Sequence, residues 1–310
     1  MKKYFTLLIL PFLLASCDVL EDIINESSNG LSDEEIILGL KEALEVGTDN
    51  SVVSASAVNG YYKNEIIKIL LPTEVKKLQN TIETGSLKLS DVDELSGVSK
   101  FIGDVSIPYS AIWDTYLTAN SVEGEPFEDL IQAMNRGAES AATKAKPIFV
   151  NAIVNMSIVD GLNILQGDST AATAYFQDNT STALVSAFQP DVRSALEQTQ
   201  ALGIYEDVEG VVNFMIDEDF LIDQLNIDSF FETQAFKLAY SAAGIEPISI
   251  SNYIGVTLPE SIDGYATEKA VGGLFHLVGE EEKKIRKNPF AWASDIIEKV
   301  FSSVEANWGA

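Results

Sequence analysis

Apolar positions recur most regularly over Phe127–Met156, where Leu130, Ile131, Met134, Ala138, Ala141, Ala142, Ala145, Phe149, Ala152 and Ile153 fall at helical spacing and make one wide apolar face. The other side carries Arg136, Ser140 and Thr143, small or basic groups that let neighbours approach closely. This stretch predicts the central helix of an all-α fold, kinked near Pro147, whose ring cannot continue a regular helix undisturbed.

The same period organises the flanks. Ser32 and Glu35 have capping-box spacing, and Ile36, Ile37, Leu40, Ala43 and Leu44 follow on one face. Gly47 reads as a C-terminal stop, with Thr48 or Asp49 capping a second helix that Asn59-Gly60 ends. Ile66–Leu71, closed by Pro72, is short enough for an extended segment or a buried helix turn, and Thr73 reopens a helix. Residues 84–126 are punctuated by Gly, Ser, Pro and Asp and read as an insertion anchored by Ile107, Tyr109, Trp113 and Tyr116. Short capped helices are expected after Ser157, after Ser169 or Thr170, and after Thr180 or Ser181, with Pro190 restarting the chain. Ile262, Ala266, Ala270, Leu274, Val278 and Ile285 mark a last long helix, stopped by Asn288-Pro289, and Ile296, Ile297, Val300 and Phe301 a final one. The expected class is all-α, a multi-helix bundle around a long helix at about 127–156, with short capped helices and at most one short extended segment.

The N-terminus changes the picture. Met1-Lys2-Lys3 is basic, Tyr4–Leu14 is apolar but too short to span, and Leu14-Ala15-Ser16-Cys17 resembles the lipobox of bacterial lipoproteins. The resemblance implies a signal peptide at 1–16, cleavage before Cys17 and lipid on its sulfur. Cys17 is the single cysteine, so it cannot form an internal disulfide. Residues 17–30 read as a flexible tether to one helical domain at 31–302. Loss of Lys2 and Lys3 would take the formal charge from −27 to −29. That charge argues against nucleic acid and against adsorption to anionic headgroups, leaving the lipid on Cys17 to hold the protein in the bacterial cell envelope.

Three blocks together resemble one family of bacterial lipoproteins, DUF4197: Gly39–Pro72; Asn135 through Pro190, opening on Asn135-Arg136-Gly137-Ala138-Glu139; and Tyr265 through Pro289. The resemblance implies an all-helical domain and, as the family's designation says, carries no assigned activity. Residues 84–126 and about 203–260 are longer than it leads one to expect, and Gly137 stands where Ala is expected.

Candidate chemistry is sparse. The one histidine, His276, has Glu280 at i+4, but Leu277 and Val278 beside it point to helix packing rather than to a metal or catalytic centre. Ten acidic residues and no Lys or Arg lie in Glu197–Glu232, and Asp217-Glu218-Asp219 lacks the order of a calcium loop, so this reads as a solvated acidic lobe. No catalytic residue, metal or cofactor is expected. Arginine is the informative residue: Arg136, Arg193 and Arg286 are the only three, against seventeen lysines, which points to sites needing a planar fork. Glu281 lies on the apolar stripe between Val278 and Ile285, where a carboxylate must be paired or protonated. Asn135, Arg136, Glu139, Glu281 and Arg286 are therefore the candidate ion-pair or ligand site. The leading expectation is a non-catalytic, lipid-anchored domain binding an unknown envelope protein or small ligand. The alternative is a carboxylate-dependent hydrolase with a cleft near Asn135, Glu139 and Glu281. A water-filled cleft with unpaired acids would favour the enzyme, and closed, dry pairs the binding domain.

Overall fold

The structure is a computed structural model that describes residues 32–88, 90, 100, 106–206, 261–288, 295–297 and 300. Cys17, the stretches expected to be a signal peptide and a tether, and the acidic stretch beyond residue 206 lie outside the described residues. The fold is all-α: α1 (Asp33–Ser56), α2 (Thr73–Thr84), α3 (Tyr109–Ala119), α4 (Pro126–Ala142), α5 (Ala145–Asn155), α6 (Ile158–Gln166), α7 (Ala171–Glu197), α8 (Gln200–Glu206) and α9 (Ile262–Lys287) are joined by one antiparallel pairing of β1 (Ser86–Lys88) and β2 (Ser106–Pro108). Two compact units divide the chain. One holds the described residues of Met1–Ala55, Thr143–Leu184 and Leu274–Ala310, the other those of Ser56–Ala142 and Val185–Gly273.

In the first unit α1 starts at the expected capping box: Ser32 N–H donates to Glu35 Oε2 at 2.9 Å and Glu35 N–H to Ser32 Oγ at 3.3 Å. The helix does not stop at Gly47. Thr48 and Ser51 turn their hydroxyls back to the carbonyls of Leu44 and Gly47 instead of capping a new helix. Gly47 serves close approach, since a Cβ there would stand 3.2 Å from Ile285 Cδ1. Phe149 meets Phe176 and Phe275 edge-on, with centroids 5.1 and 6.3 Å apart, and forms the aromatic centre of this core.

In the second unit Tyr61 is fully buried and its hydroxyl donates to Ala270 O at 2.7 Å. Gly137 lets α4 lie on α7: a Cβ would come within 2.7 Å of Val192 Cα. Within the expected insertion, Trp113 of α3 stacks on Phe127 at 5.5 Å, and Tyr116 packs with Ile204 of α8.

Two further expectations are corrected. The stretch 127–156 is two helices, α4 and α5, broken at Thr143–Lys144 rather than kinked at Pro147. The proline ring clashes with the carbonyl four residues back, at Thr143, so the interruption falls upstream and Pro147 occupies the first turn of α5. Residues 171–197 form one helix containing Pro190, not capped fragments. Thr180 and Ser181 bond back to Phe176 O and Gln177 O, and the buried ladder Phe176, Leu184, Phe188, Val192 and Leu196 outweighs the lost backbone bond. Ile66–Leu71, expected as an extended segment or a helix turn, is a turn that runs into non-helical chain. Ile67, Ile69 and Leu71 point inward while Ile66 and Leu70 point to solvent.

Candidate functional site

Asn135, Arg136 and Glu139 occupy one side of α4 in the second unit, and all three pin the irregular segment after α1. Asn135 is fully buried and acts as a peptide group: its Oδ1 accepts from Ile69 N–H at 2.8 Å and its Nδ2 donates to Ile69 O at 2.8 Å. The second Nδ2 hydrogen goes to Ile131 O at 2.7 Å. A segment that makes no ladder of its own thus finds partners for both backbone groups at Ile69.

Glu139 works one turn along the same face. Its Oε1 accepts from the N–H groups of Tyr61 at 3.2 Å and Tyr62 at 3.0 Å, and its Oε2 from Arg136 Nη1 at 2.6 Å. Arg136 also donates from Nη2 to Asn59 Oδ1 at 2.9 Å and lies over the Tyr62 ring, 5.3 Å from its centroid. Asn59 has φ +68, a left-handed turn that asparagine tolerates. Burial, and then the charge of Glu139, push the Tyr61 hydroxyl far above its ordinary range.

In the first unit Glu281 is only 13% exposed, with Lys284 Nζ at 2.6 Å and Asn50 Nδ2 at 3.1 Å from its two oxygens. The most deeply buried carboxylate of this stretch is its neighbour Glu282, which sequence reasoning passed over. Glu282 Oε1 accepts from Ala172 N–H at 2.9 Å, and Oε2 from Thr173 N–H at 2.9 Å and Thr173 Oγ1 at 2.8 Å, so it caps the start of α7 from another helix. Arg286, 4% exposed, grips Glu282 Oε1 through Nε at 3.0 Å and Nη2 at 2.8 Å, and Nη2 also reaches Ile164 O at 2.9 Å. A cavity of about 20 Å³ beside this pair is lined mainly by Leu40, Ala43, Leu44, Ile164 and Ile285, with space for one water and none for a substrate.

A choice between 281 and 282 could not be made from the stripe, because both stand three or four residues from Val278 and Ile285. The available signal was Arg286, at i+4 from Glu282. The third arginine, Arg193, is partly exposed and shared among Glu197 at 2.8 Å, Glu206 at 3.3 Å and Asp263 at 3.8 Å. His276 is exposed on α9, and among the described residues no group of three or more His, Cys, Asp or Glu is placed to hold a metal ion.

What these contacts define is a helical protein in which buried carboxylate and amide side chains of one element complete the backbone of another. The chain belongs to the DUF4197 family, described as protein of unknown function, whose model matches residues 30–98 and 114–302. No curated protein and no solved structure matches the chain.

Proposed function

We propose that the protein is a lipid-anchored component of the bacterial cell envelope whose helical domain binds a partner rather than turning over a substrate. The observation that carries this reading is the commitment of the candidate polar groups. Both oxygens of Glu139 and of Glu282 accept hydrogen bonds from backbone N–H groups and an arginine, and the Asn135 amide is spent on Ile69 and Ile131. A general acid or base must offer a proton or a lone pair to a substrate. Both Glu282 oxygens are filled, Glu139 is held by two N–H groups on one oxygen and by Arg136 on the other, and the arginines neutralise charge that the fold buries.

The anchor rests on Leu14-Ala15-Ser16-Cys17 and on the acidic balance of the chain, which opposes adsorption to anionic headgroups. The test has two arms. Fatty-acid labelling in cells should mark the wild-type chain and not Cys17→Ser, which should also leave the membrane fraction; a labelled Cys17→Ser chain would sink the anchor. Crosslinking of the lipidated chain in its native membrane should capture one reproducible partner. Turnover of an ester, amide or glycoside that disappears in Glu139→Gln would instead make the protein a hydrolase.

A further inference from the structure

The described surface carries exposed aliphatic side chains at a bend. Among the described residues no single helix is long and apolar enough to cross a membrane. Helices α5 and α6 together reach that apolarity, but they turn by 104° at the Met156–Ser157 break, which rules out a straight span. At this corner Val154, Ile158 and Val159 are 67%, 44% and 65% exposed, and Leu38 of α1 is 59% exposed. Lys41, one turn beyond Leu38, donates from Nζ to Val154 O at 3.0 Å, so the two surfaces adjoin. The corner is held rigidly. Ser157 caps α6, with Asp160 N–H donating to Ser157 Oγ at 3.1 Å and Ser157 Oγ donating to Asp160 Oδ2 at 2.6 Å.

We propose that this corner, with Leu38, is a membrane-contact face that seats its aliphatic side chains at the headgroup–acyl boundary of a bilayer. The inference rests on the reading that lipid on Cys17 holds the chain at a membrane. Two observations select lipid as the occupant. The first is where the anchored chain joins the fold. The link from Cys17 to Ser32 spans at most about 50 Å when fully extended, and Leu38 lies about 9 Å along α1 from Ser32. The apolar face is thus beside the point where the lipid-bearing segment meets the domain. The second is charge. Ser140–Val159 is the longest stretch of the chain without an acidic residue, and it carries Lys144 and Lys146, the latter paired with Asp49 at 2.6 Å. In a chain of −27 this is the least acidic stretch, while exposed Glu34, Glu35 and Glu42 stand beside Leu38 on α1 and Asp160 follows Val159, so aliphatic contact and the covalent lipid, not attraction to anionic phosphates, would hold the face. A short amphipathic face of this kind binds weakly alone and adds to a covalent lipid as a second signal.

The test places nitroxide labels on the full lipidated chain in vesicles of phosphatidylethanolamine and phosphatidylglycerol. Val154→Cys and Val159→Cys are compared with Ile66→Cys, an exposed aliphatic of the second unit. All three positions are solvent-facing, so substitution leaves the core intact, and matching urea midpoints check this. Labels at 154 and 159 should be several-fold less accessible to a water-soluble nickel chelate than the label at 66, and more accessible to oxygen dissolved in lipid. Labels at 154 and 159 that are as accessible to the chelate on vesicles as on the same chain without vesicles would overturn the proposal, whatever the label at 66 reads. Spin–spin broadening at 154 and 159 would overturn it too, by assigning the face to a second copy of the chain. Intact mass of the same sample reads the anchor separately. A lipid-free Cys17 with immersed labels would remove the anchor and leave the membrane face, while a lipidated Cys17 with aqueous labels would do the reverse.

Discussion

The two units solve one problem with the same three parts. Each contains backbone N–H groups at the start of a turn or helix that no intrahelical partner can reach, Tyr61 and Tyr62 in one and Ala172 and Thr173 in the other. Each answers with a buried glutamate from a distant helix, Glu139 or Glu282, and each neutralises it with an arginine on the glutamate's own helix, at i−3 or i+4. They differ in how dry the pair is. The Arg286 side chain is 4% exposed and that of Arg136 is 35% exposed. Glu282 closes a regular helix, whereas Glu139 holds an irregular segment whose Ile66 and Leu70 face solvent. The first arrangement serves the core. The second uses core residues to fix a surface.

Breaking the drier pair should cost most. Glu282→Ala leaves the Arg286 guanidinium without its counter-ion in the interior, together with two N–H groups, and should lower the unfolding free energy by about 3–5 kcal/mol in urea titration. Glu282→Gln, which keeps an acceptor, should cost less. Glu139→Ala should cost about 2–3 kcal/mol, because Arg136 can turn to water and only the Tyr61 and Tyr62 N–H groups are stranded. If Glu139→Ala proves as damaging as Glu282→Ala, exposure of the arginine is not what separates the two.

Much of this architecture was readable. The stripe of α9, the capping box at Ser32 and the helix start after Ser157 depend on short-range spacing, and the structure keeps them. Helix ends were less legible because Gly47, Thr180 and Pro190 are local stop signals that tertiary packing overrides. Gly47 gives room to Ile285, and the ladder around Pro190 is buried. Within the candidate site, the residue types at Asn135, Arg136 and Glu139 drew notice, but Asn135 and Glu139 meet backbone groups of Ile69, Tyr61 and Tyr62 more than sixty positions away, and a backbone N–H leaves no mark in sequence. The stripe led to Glu281 and missed Glu282 for the same reason, since the Ala172 and Thr173 amides that select Glu282 are invisible from it.

Close approach in the second unit can be tested by adding one carbon. Alanine is the better helix former by about 1 kcal/mol, so Gly137→Ala would stabilise an exposed helix. Here the new Cβ would meet Val192 Cα at 2.7 Å, a backbone atom that cannot rotate away. A net loss of about 1–3 kcal/mol is expected by thermal unfolding, and a gain would mean that α4 and α7 separate easily.

Alkaline titration probes the second unit further. Burial, then the charge of Glu74, push the Tyr205 hydroxyl up to about 12. The neutral form is favoured by folding, so this contribution is complete below pH 10 and is lost as pH rises through about 12. Phenolate absorbance should show a late step that Tyr205→Phe removes. Tyr61 should ionise only with unfolding.

The smallest effect is expected from the third arginine, and it sharpens the comparison from outside. Arg193 faces three carboxylates, more than Arg136 or Arg286 is paired with, and their hydrogen bonding and charge raise its pKa further. Counting partners would rank it first. Its side chain is 41% exposed, however, so water already solvates the charge, and removing it strands no buried group. Asp263 keeps hydrogen bonds from Ser261 Oγ at 2.6 Å and Gln189 Nε2 at 3.2 Å. Arg193→Gln should therefore leave the urea midpoint nearly unchanged at physiological salt and lower it slightly at low salt, where surface attraction is less screened. A loss approaching that of Glu282→Ala, insensitive to salt, would show that the number of charges met, and not the water excluded around them, sets what an arginine contributes in this fold.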